Sequence, residues 1–306
     1  MEEYLNMSHS YVNLPKLKKG DTIGIISPSH VATRERYEGA IRQLEALGFR
    51  VKTAKNLYKD TYGYIAGDRE RADDLNELVS DPEVKLIFFG GGYGSVDLLP
   101  LIDYENIRKH PKCFLSYSDG TSILNAIYTR TGIVTYYGQT PGDYCAPAPY
   151  TLDQFKRVFL EESTGAFLPN SDWYTVTSGS SEGILIGGYL HNVALGLGNP
   201  FFSYDPSQKY LLFLEDHERF SSIPEINSLL SFIEQSNFMS CVCGLIFGHY
   251  SESISLPLLE RLKRLGKKHG IPVVYTDDFG HGQNHAILPV GCKAKLDADL
   301  KTLFFY

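Results

Sequence analysis

Short apolar runs alternate with amphipathic helical stretches from Thr22 to Tyr137, and that alternation restricts the possible folds more than any other feature of the chain. Thr22–Ser27 is a strand-like run ending at Pro28, Arg34–Leu47 carries a helical period closed by Gly48, and Arg50–Thr53 is a second strand. The pattern then repeats. Arg69–Val79 reads as a helix, Val84–Phe89 as a buried strand, Lys112–Leu115 as a strand, Thr121–Thr129 as a helix and Ile133–Tyr137 as a strand. Strands separated by helices of this length predict parallel βαβ units and a sheet covered on both faces.

The regularity lapses between Gly138 and Gly183, where Pro141, Pro147, Pro149, Pro169 and the Ser/Gly patch Ser178–Ser181 fall. This stretch reads as a connection interrupted by one amphipathic helix, Leu152–Leu160. Strands follow at Gly183–Ile186, Tyr210–Leu214, Cys241–Phe247 and Ile271–Tyr275, with helices at Ile223–Glu234 and Leu256–Lys268. At the usual ~150 residues per domain, 306 residues allow two domains. The expected division is an N-terminal α/β domain over 1–145, a connection over 146–182 and a C-terminal α/β domain over 183–306.

The charge balance narrows the partners. Lys and Arg number 29 against 36 Asp and Glu, a formal charge of −7 without an acidic tail. No basic footprint for nucleic acid or an anionic membrane is present. No apolar run reaches the ~18 residues of a membrane-spanning helix. Met1–Ser8 lacks a basic and apolar leader pattern, so the expected compartment is the cytoplasm. Five cysteines, an odd and sparse set, suit reduced thiols. Cys241 and Cys243 are expected on one face of a buried strand, as structural thiols and not a metal site.

Four segments carry groups capable of chemistry. Ser116-Tyr-Ser118-Asp-Gly120 lies between a strand and a helix, where a serine is either a nucleophile on a tight turn or a helix-capping residue. Gly90-Gly-Gly-Tyr-Gly-Ser95 also links a strand to a helix. Its backbone suits a phosphate cradle, an oxyanion hole or only a tight turn, and it matches neither the dinucleotide nor the P-loop pattern. Glu215 ends the strand Tyr210–Leu214, beside Asp216, His217 and Glu218; strand ends deliver side chains to the crevice of an open α/β sheet, while charged runs also form solvated loops. His281 stands in the glycine-flanked loop Asp277–His285, as a general base or a surface histidine. A metal held by His281, His285, Asp277 and Asp278 is disfavoured, because Gly280, Gly282 and Asn284 argue against the helix that such a histidine pair uses. Serine, acid and histidine thus occur in the order Ser118, Glu215, His281, each at a predicted strand end.

Several separated motifs together resemble the LD-carboxypeptidase family of serine peptidases, which includes the microcin C immunity peptidases. They are Gly20–Pro28, Ala66-Gly-Asp-Arg-Glu-Arg-Ala72, Gly91-Gly-Tyr-Gly94, Leu98-Leu-Pro100 and Asp103-Tyr104. Tyr117-Ser-Asp119, Gly187-Gly188, Leu212-Phe-Leu-Glu-Asp216, Gly280-His281 and Leu288–Gly291 complete the set. The resemblance implies a flavodoxin-like N-terminal α/β domain and a C-terminal α/β domain, with the active site at their interface. It implies Ser118 as nucleophile, Glu215 and His281 as its triad partners, and the amides of Gly92 and Asp119 as the oxyanion hole. No cofactor or metal is implied, and a homodimer is. The substrate class it implies is a small peptide: a muropeptide of recycled peptidoglycan, or a peptide–nucleotide conjugate in the immunity branch. A non-catalytic binding module of two α/β domains is the competing class. Three positions depart from the family pattern: Ser116 and Gly90 replace Gly and Arg, and Tyr189 replaces the Asn that follows Gly187-Gly188.

Overall fold

The computed structural model describes residues 14–30, 33–162 and 165–306, so the Met1–Ser8 stretch inspected for a leader lies outside the described residues. Strands β1 (Thr22–Ile26), β2 (Arg50–Thr53), β3 (Val84–Phe89), β4 (Cys113–Ser116) and β5 (Thr135–Tyr137) alternate with helices α1 (Arg34–Ala46), α2 (Asp68–Ser80), α3 (Tyr104–Lys109) and α4 (Thr121–Thr131). The strands are parallel, in the order β2-β1-β3-β4-β5 of flavodoxin-like sheets. The order reverses between β1 and β3, which opens a crevice above their carboxyl ends. The loops there are Ser27–His30 and Gly90–Gly94.

Period two decides which face each strand residue serves. Leu86 and Phe88 enter one core with Tyr37, Leu44 and Phe155, whereas Ile87 and Phe89 enter a second with Leu75, Leu98 and Leu124. The first is closed by α5 (Pro149–Phe159), whose Phe155 and Phe159 are buried.

The rest of the chain contains β6 (Trp173–Thr177), β7 (Ser180–Tyr189), α6 (Leu190–Gly196), β8 (Tyr210–Glu215), α7 (Ile223–Gln235), β9 (Val242–His249), α8 (Leu256–His269), β10 (Val273–Gly280), β11 (Leu288–Val290), β12 (Lys293–Asp297) and β13 (Thr302–Phe305). A second sheet runs β13-β12-β7-β8-β9-β10-β6, with β7 to β10 parallel and antiparallel strands at both edges. Its core is continuous with that of the first sheet, since Phe89 and Tyr137 belong to the same buried cluster as Leu185 and Phe213. No helix among the described residues is long and apolar enough to cross a membrane.

Four strands depart from the sequence pattern: β6, β11 and the C-terminal pair β12 and β13, where no strand is expected. Within the stretch read as a connection, β6 adds an edge strand to the second sheet, held by buried Trp173, whose indole N–H donates to Asp278 Oδ2 at 2.7 Å. β11 crosses back to pair antiparallel with β5 in the first sheet, Leu288 opposite Tyr137. Helices α3 and α6, of six and seven residues, are too short to display a period. Cys241 closes a 3-10 turn (Asn237–Cys241) instead of sharing a strand face with Cys243, which lies on β9. The turn ends one residue too late for the expected alternation. All five cysteines are free.

Candidate active site

Ser118 sits directly above the carboxyl end of β4, in a 3-10 turn (Ser118–Gly120) that leads into α4. Its φ is +57°, one of two positive values among the described non-glycine residues. L-residues avoid that region, and such strain, at ~1–3 kcal/mol, persists only where the surroundings enforce it. The surroundings here are tight. A Cβ on Gly91 would stand 2.8 Å from Ser118 Cβ, and one on Gly120 only 2.2 Å from Ser116 Oγ. The glycines of both sequence motifs therefore serve one close approach, of the β3 loop to the Ser118 turn.

Asp119 fastens these loops together. Its Oδ2 accepts the Ser95 amide at 2.8 Å, its carbonyl accepts Ser95 Oγ–H at 2.6 Å, and its Oδ1 accepts Asn192 Nδ2–H from α6 at 3.0 Å. Behind the Gly90–Gly94 loop lies Arg71, 2% exposed, from the Ala66–Ala72 motif. Its guanidinium donates to the carbonyls of Ala66, Pro28 and Gly94 and pairs with Asp97 at 3.4 Å. One buried cation thus joins the loops after β1 and β3 to the start of α2.

From the second sheet come the acid and the histidine. Glu215, fully buried, ends β8, and His281 follows Gly280 at the end of β10. Gly280 has φ +105°, and a Cβ there would meet Glu215 Oε2 at 2.8 Å. Only glycine lets the backbone pass so close to the carboxylate.

His281 Nδ1 lies 2.8 Å from Glu215 Oε2, and His281 Nε2 lies 2.9 Å from Ser118 Oγ. The carboxylate can only accept, so Nδ1 carries the proton and Nε2 presents its lone pair to the serine hydroxyl. Burial works against a charged imidazole, but the charge and hydrogen bond of Glu215 outweigh it, and the His281 pKa is raised above its ordinary value. Asp216 adds to the same field, with its own carboxyl pushed up to about 6 by burial.

Five further residues contribute in roles that the sequence did not mark. Tyr137, fully buried at the end of β5, donates its phenol O–H to Glu215 Oε1 at 2.5 Å and accepts the Ser118 amide at 3.1 Å. Tyr117, Tyr189 and Phe220 box the His281 ring, with centroids 5.1, 5.2 and 4.9 Å away. Arg71 was visible only as part of a motif. A position at the end of a short strand was the signal available for Tyr137, and nothing local linked it to Glu215 or Ser118.

A cavity of about 890 Å³ lies nearby, lined by Gly92, Asp119, Tyr189 and Phe220 on the side of Ser118 and His281 and by Ala126, Val193 and Leu229 farther along. Asn125 reaches it with a buried Oδ1 that has no hydrogen-bond partner. Gly92 and Asp119 therefore face the same space. The four residues considered for a metal do not converge among the described residues: Asp277 contacts His249, Asp278 holds Trp173, and His285 packs on Tyr117.

An acid, an imidazole and a hydroxyl in one hydrogen-bonded chain, beside a cavity, can perform acyl transfer. Comparison with known proteins points the same way. Residues 23–138 match the model of the LD-carboxypeptidase N-terminal domain and residues 182–296 that of the LD-carboxypeptidase C-terminal domain. A probable murein peptide carboxypeptidase of Bacillus subtilis is 33% identical over 94% of this chain and 92% of its own length. The microcin C7 self-immunity protein MccF of Escherichia coli is 28% identical over 97% and 96%. Among solved structures, an MccF-like protein from Bacillus anthracis superposes with a TM-score of 0.86 at 29% identity, covering 95% of this chain and 98% of that one. MccF in complex with aspartyl sulfamoyl adenosine gives 0.86 at 28%, covering 96% and 98%. With both of its domain models matched in order and the relatives aligned over nearly their whole length, the chain belongs to the LD-carboxypeptidase family of peptidases.

Proposed function

We propose that this protein is a serine peptidase that hydrolyses an L,D-peptide bond and releases a C-terminal D-amino acid, as from the tetrapeptide stem of recycled peptidoglycan. The observation that carries the reading is the hydrogen-bonded chain Ser118 Oγ, His281, Glu215. As Ser118 Oγ attacks the scissile carbonyl, His281 Nε2 takes its proton, and the imidazolium is held by Glu215. The carbonyl oxygen becomes an oxyanion facing the amides of Gly92 and Asp119; loss of one such donor typically costs ~10²–10³ in rate. His281 then protonates the departing amine, leaving an acyl-Ser118 ester. Water, deprotonated by His281, resolves it. No cofactor or metal enters these steps.

Ser118 precedes the 146–182 stretch, while Glu215 and His281 follow it. Each half then contributes essential groups, and neither is active alone. The reading also carries a cytoplasmic homodimer.

A second reading keeps the triad and changes the scissile amide to one joining an amino acid or peptide to a nucleotide-like group. The cavity of about 890 Å³ has room for such a conjugate, and the related MccF is seen in complex with aspartyl sulfamoyl adenosine. Mass spectrometry of products from a muropeptide tetrapeptide and an aminoacyl sulfamoyl adenosine, incubated in parallel, separates the two. Release of D-alanine, lost in Ser118→Ala, supports the first; faster turnover of the nucleoside conjugate supports the second. Binding without hydrolysis of either would make the chain a binding module.

A further inference from the structure

Beyond the triad, the carboxyl edge of the second sheet gathers a second set of polar side chains from adjacent strands. His217 follows β8 two residues after Glu215, His249 ends β9, and Glu252 stands in the loop beyond it. Their candidate ligand atoms all lie within 4.8 Å of one another. The histidines are 3% and 5% exposed, so these are interior groups and not a surface cluster.

His249 is the pointed observation. Its Nδ1 is 2.8 Å from Asp277 Oδ1 on β10, a carboxylate that also accepts Tyr275 O–H at 3.0 Å. Asp277 can only accept, so Nδ1 is the protonated nitrogen and Nε2 carries a lone pair. That Nε2 is buried and has no hydrogen-bond partner. A buried acceptor without a partner is costly unless something occupies its lone pair. Carboxylate-held histidines with a free second nitrogen are the usual arrangement around a bound transition metal. Glu252, exposed and without a hydrogen bond or ion pair among the described residues, supplies an anionic oxygen at the open side.

We infer that His217, His249 and Glu252 form a binding site for a divalent transition-metal ion of the zinc type, with Asp277 orienting His249 from behind. Two nitrogens and one carboxylate oxygen suit zinc; magnesium and calcium prefer oxygen donors alone. Ligands ~2.1 Å from a tetrahedral zinc stand ~3.4 Å apart, so the triangle closes by at most ~1.4 Å, and the exposed Glu252 side chain has the freedom to do so. A water completes the fourth position. Coordination through His217 Nε2 would move that ring's proton to Nδ1 and give up the 3.1 Å hydrogen bond from the Arg219 amide, a cost the metal–ligand bond must exceed.

The site is separate from the hydrolytic chemistry but mechanically close to it. His217 shares a short segment with Glu215, and a Cβ on Gly282, the residue after His281, would stand 2.6 Å from His249 Cγ. The ion would therefore tie the segment after Glu215 to His249, against which the loop after His281 packs. Its role is structural, and it stands whether or not the peptidase reading does.

The test uses the whole protein, stripped with chelator and titrated with zinc chloride. Isothermal titration calorimetry, elemental analysis after gel filtration and the zinc dependence of Tm provide readouts independent of activity. The wild type is expected to bind one zinc per chain saturably and to gain Tm with zinc. His249→Gln should lose saturable binding, Asp277→Asn should bind about 10–100-fold more weakly, and Glu252→Gln, at an exposed position that does not threaten folding, should bind at least about 10-fold more weakly. Absence of saturable binding in the wild type overturns the assignment. So does wild-type affinity in Glu252→Gln and Asp277→Asn.

Discussion

The phenol of Tyr137 and the carboxylate of Glu215 join the two sheets at their most buried point, with O–H to Oε1 at 2.5 Å and neither side chain exposed. The same phenolic oxygen receives the Ser118 amide, so one atom fixes both the acid of the second sheet and the turn that carries Ser118. Burial and the neighbouring Glu215 charge push the Tyr137 pKa well up, which keeps it a donor at any physiological pH. Tyr137→Phe leaves a buried carboxylate oxygen and a buried amide each without a partner, at ~1–3 kcal/mol per group. We expect a fall of about 10–100-fold in kcat with KM nearly unchanged, together with a lower Tm. Wild-type kcat in this variant would remove Tyr137 from the positioning of the triad.

His281 must be neutral to accept the serine proton, and its pKa is raised. The acid limb of kcat/KM should therefore lie above the ordinary histidine value of ~6.5. The sign for stability is opposite. A raised folded-state pKa contributes stability that is complete below the unfolded value and is lost as pH climbs through the folded one. Activity and stability should thus move in opposite directions across that window. Asp216→Asn removes an anion that favours the imidazolium, so the acid limb should shift to lower pH. An unmoved limb would mean that Asp216 does not act on His281.

The positive φ of Ser118 makes a prediction that separates strain from chemistry. Ser118→Ala and Ser118→Gly should both be inactive. The glycine variant, however, no longer places a side chain in the left-handed region, and it should be the more stable of the two by about 1 kcal/mol, less the added entropy of the unfolded chain. Chemical denaturation of the pair measures this directly, and an alanine variant as stable as the glycine one would show that the turn stores no strain.

What the chain revealed of itself follows from range. The βαβ order and the strand ends were legible because period and turn residues are local, and Ser118, Glu215 and His281 each stand at such an end. β11 was not legible, because Leu288–Val290 finds its partner on β5 only after the second sheet has formed between them. β6 was hidden by the prolines and serines around it, and Trp173 shows its purpose only beside Asp278. Tyr137 looked like one more apolar strand residue. Its polar end is meaningful only when Glu215 arrives from 78 residues away.

Ser116, where the family usually has glycine, gives the sharpest test of how the nucleophile turn is packed. Its hydroxyl is fully buried and occupies the space that a Cβ at Gly120 would need, at 2.2 Å from Oγ and 2.7 Å from Cβ. The two small positions are therefore dependent on each other. Gly120→Ala should therefore destabilise the protein by about 1–3 kcal/mol through overpacking and displace Ser118 enough to reduce kcat. In a Ser116→Gly background the two severe clashes are gone, and the next neighbour of the new methyl is Phe89 Cε2 at 3.2 Å. The cost of Gly120→Ala should then fall substantially, with a coupling of about 0.5–3 kcal/mol in a double-mutant cycle. Purely additive effects would show that the backbone of the turn shifts away from the methyl and that Ser116 does not constrain the nucleophile.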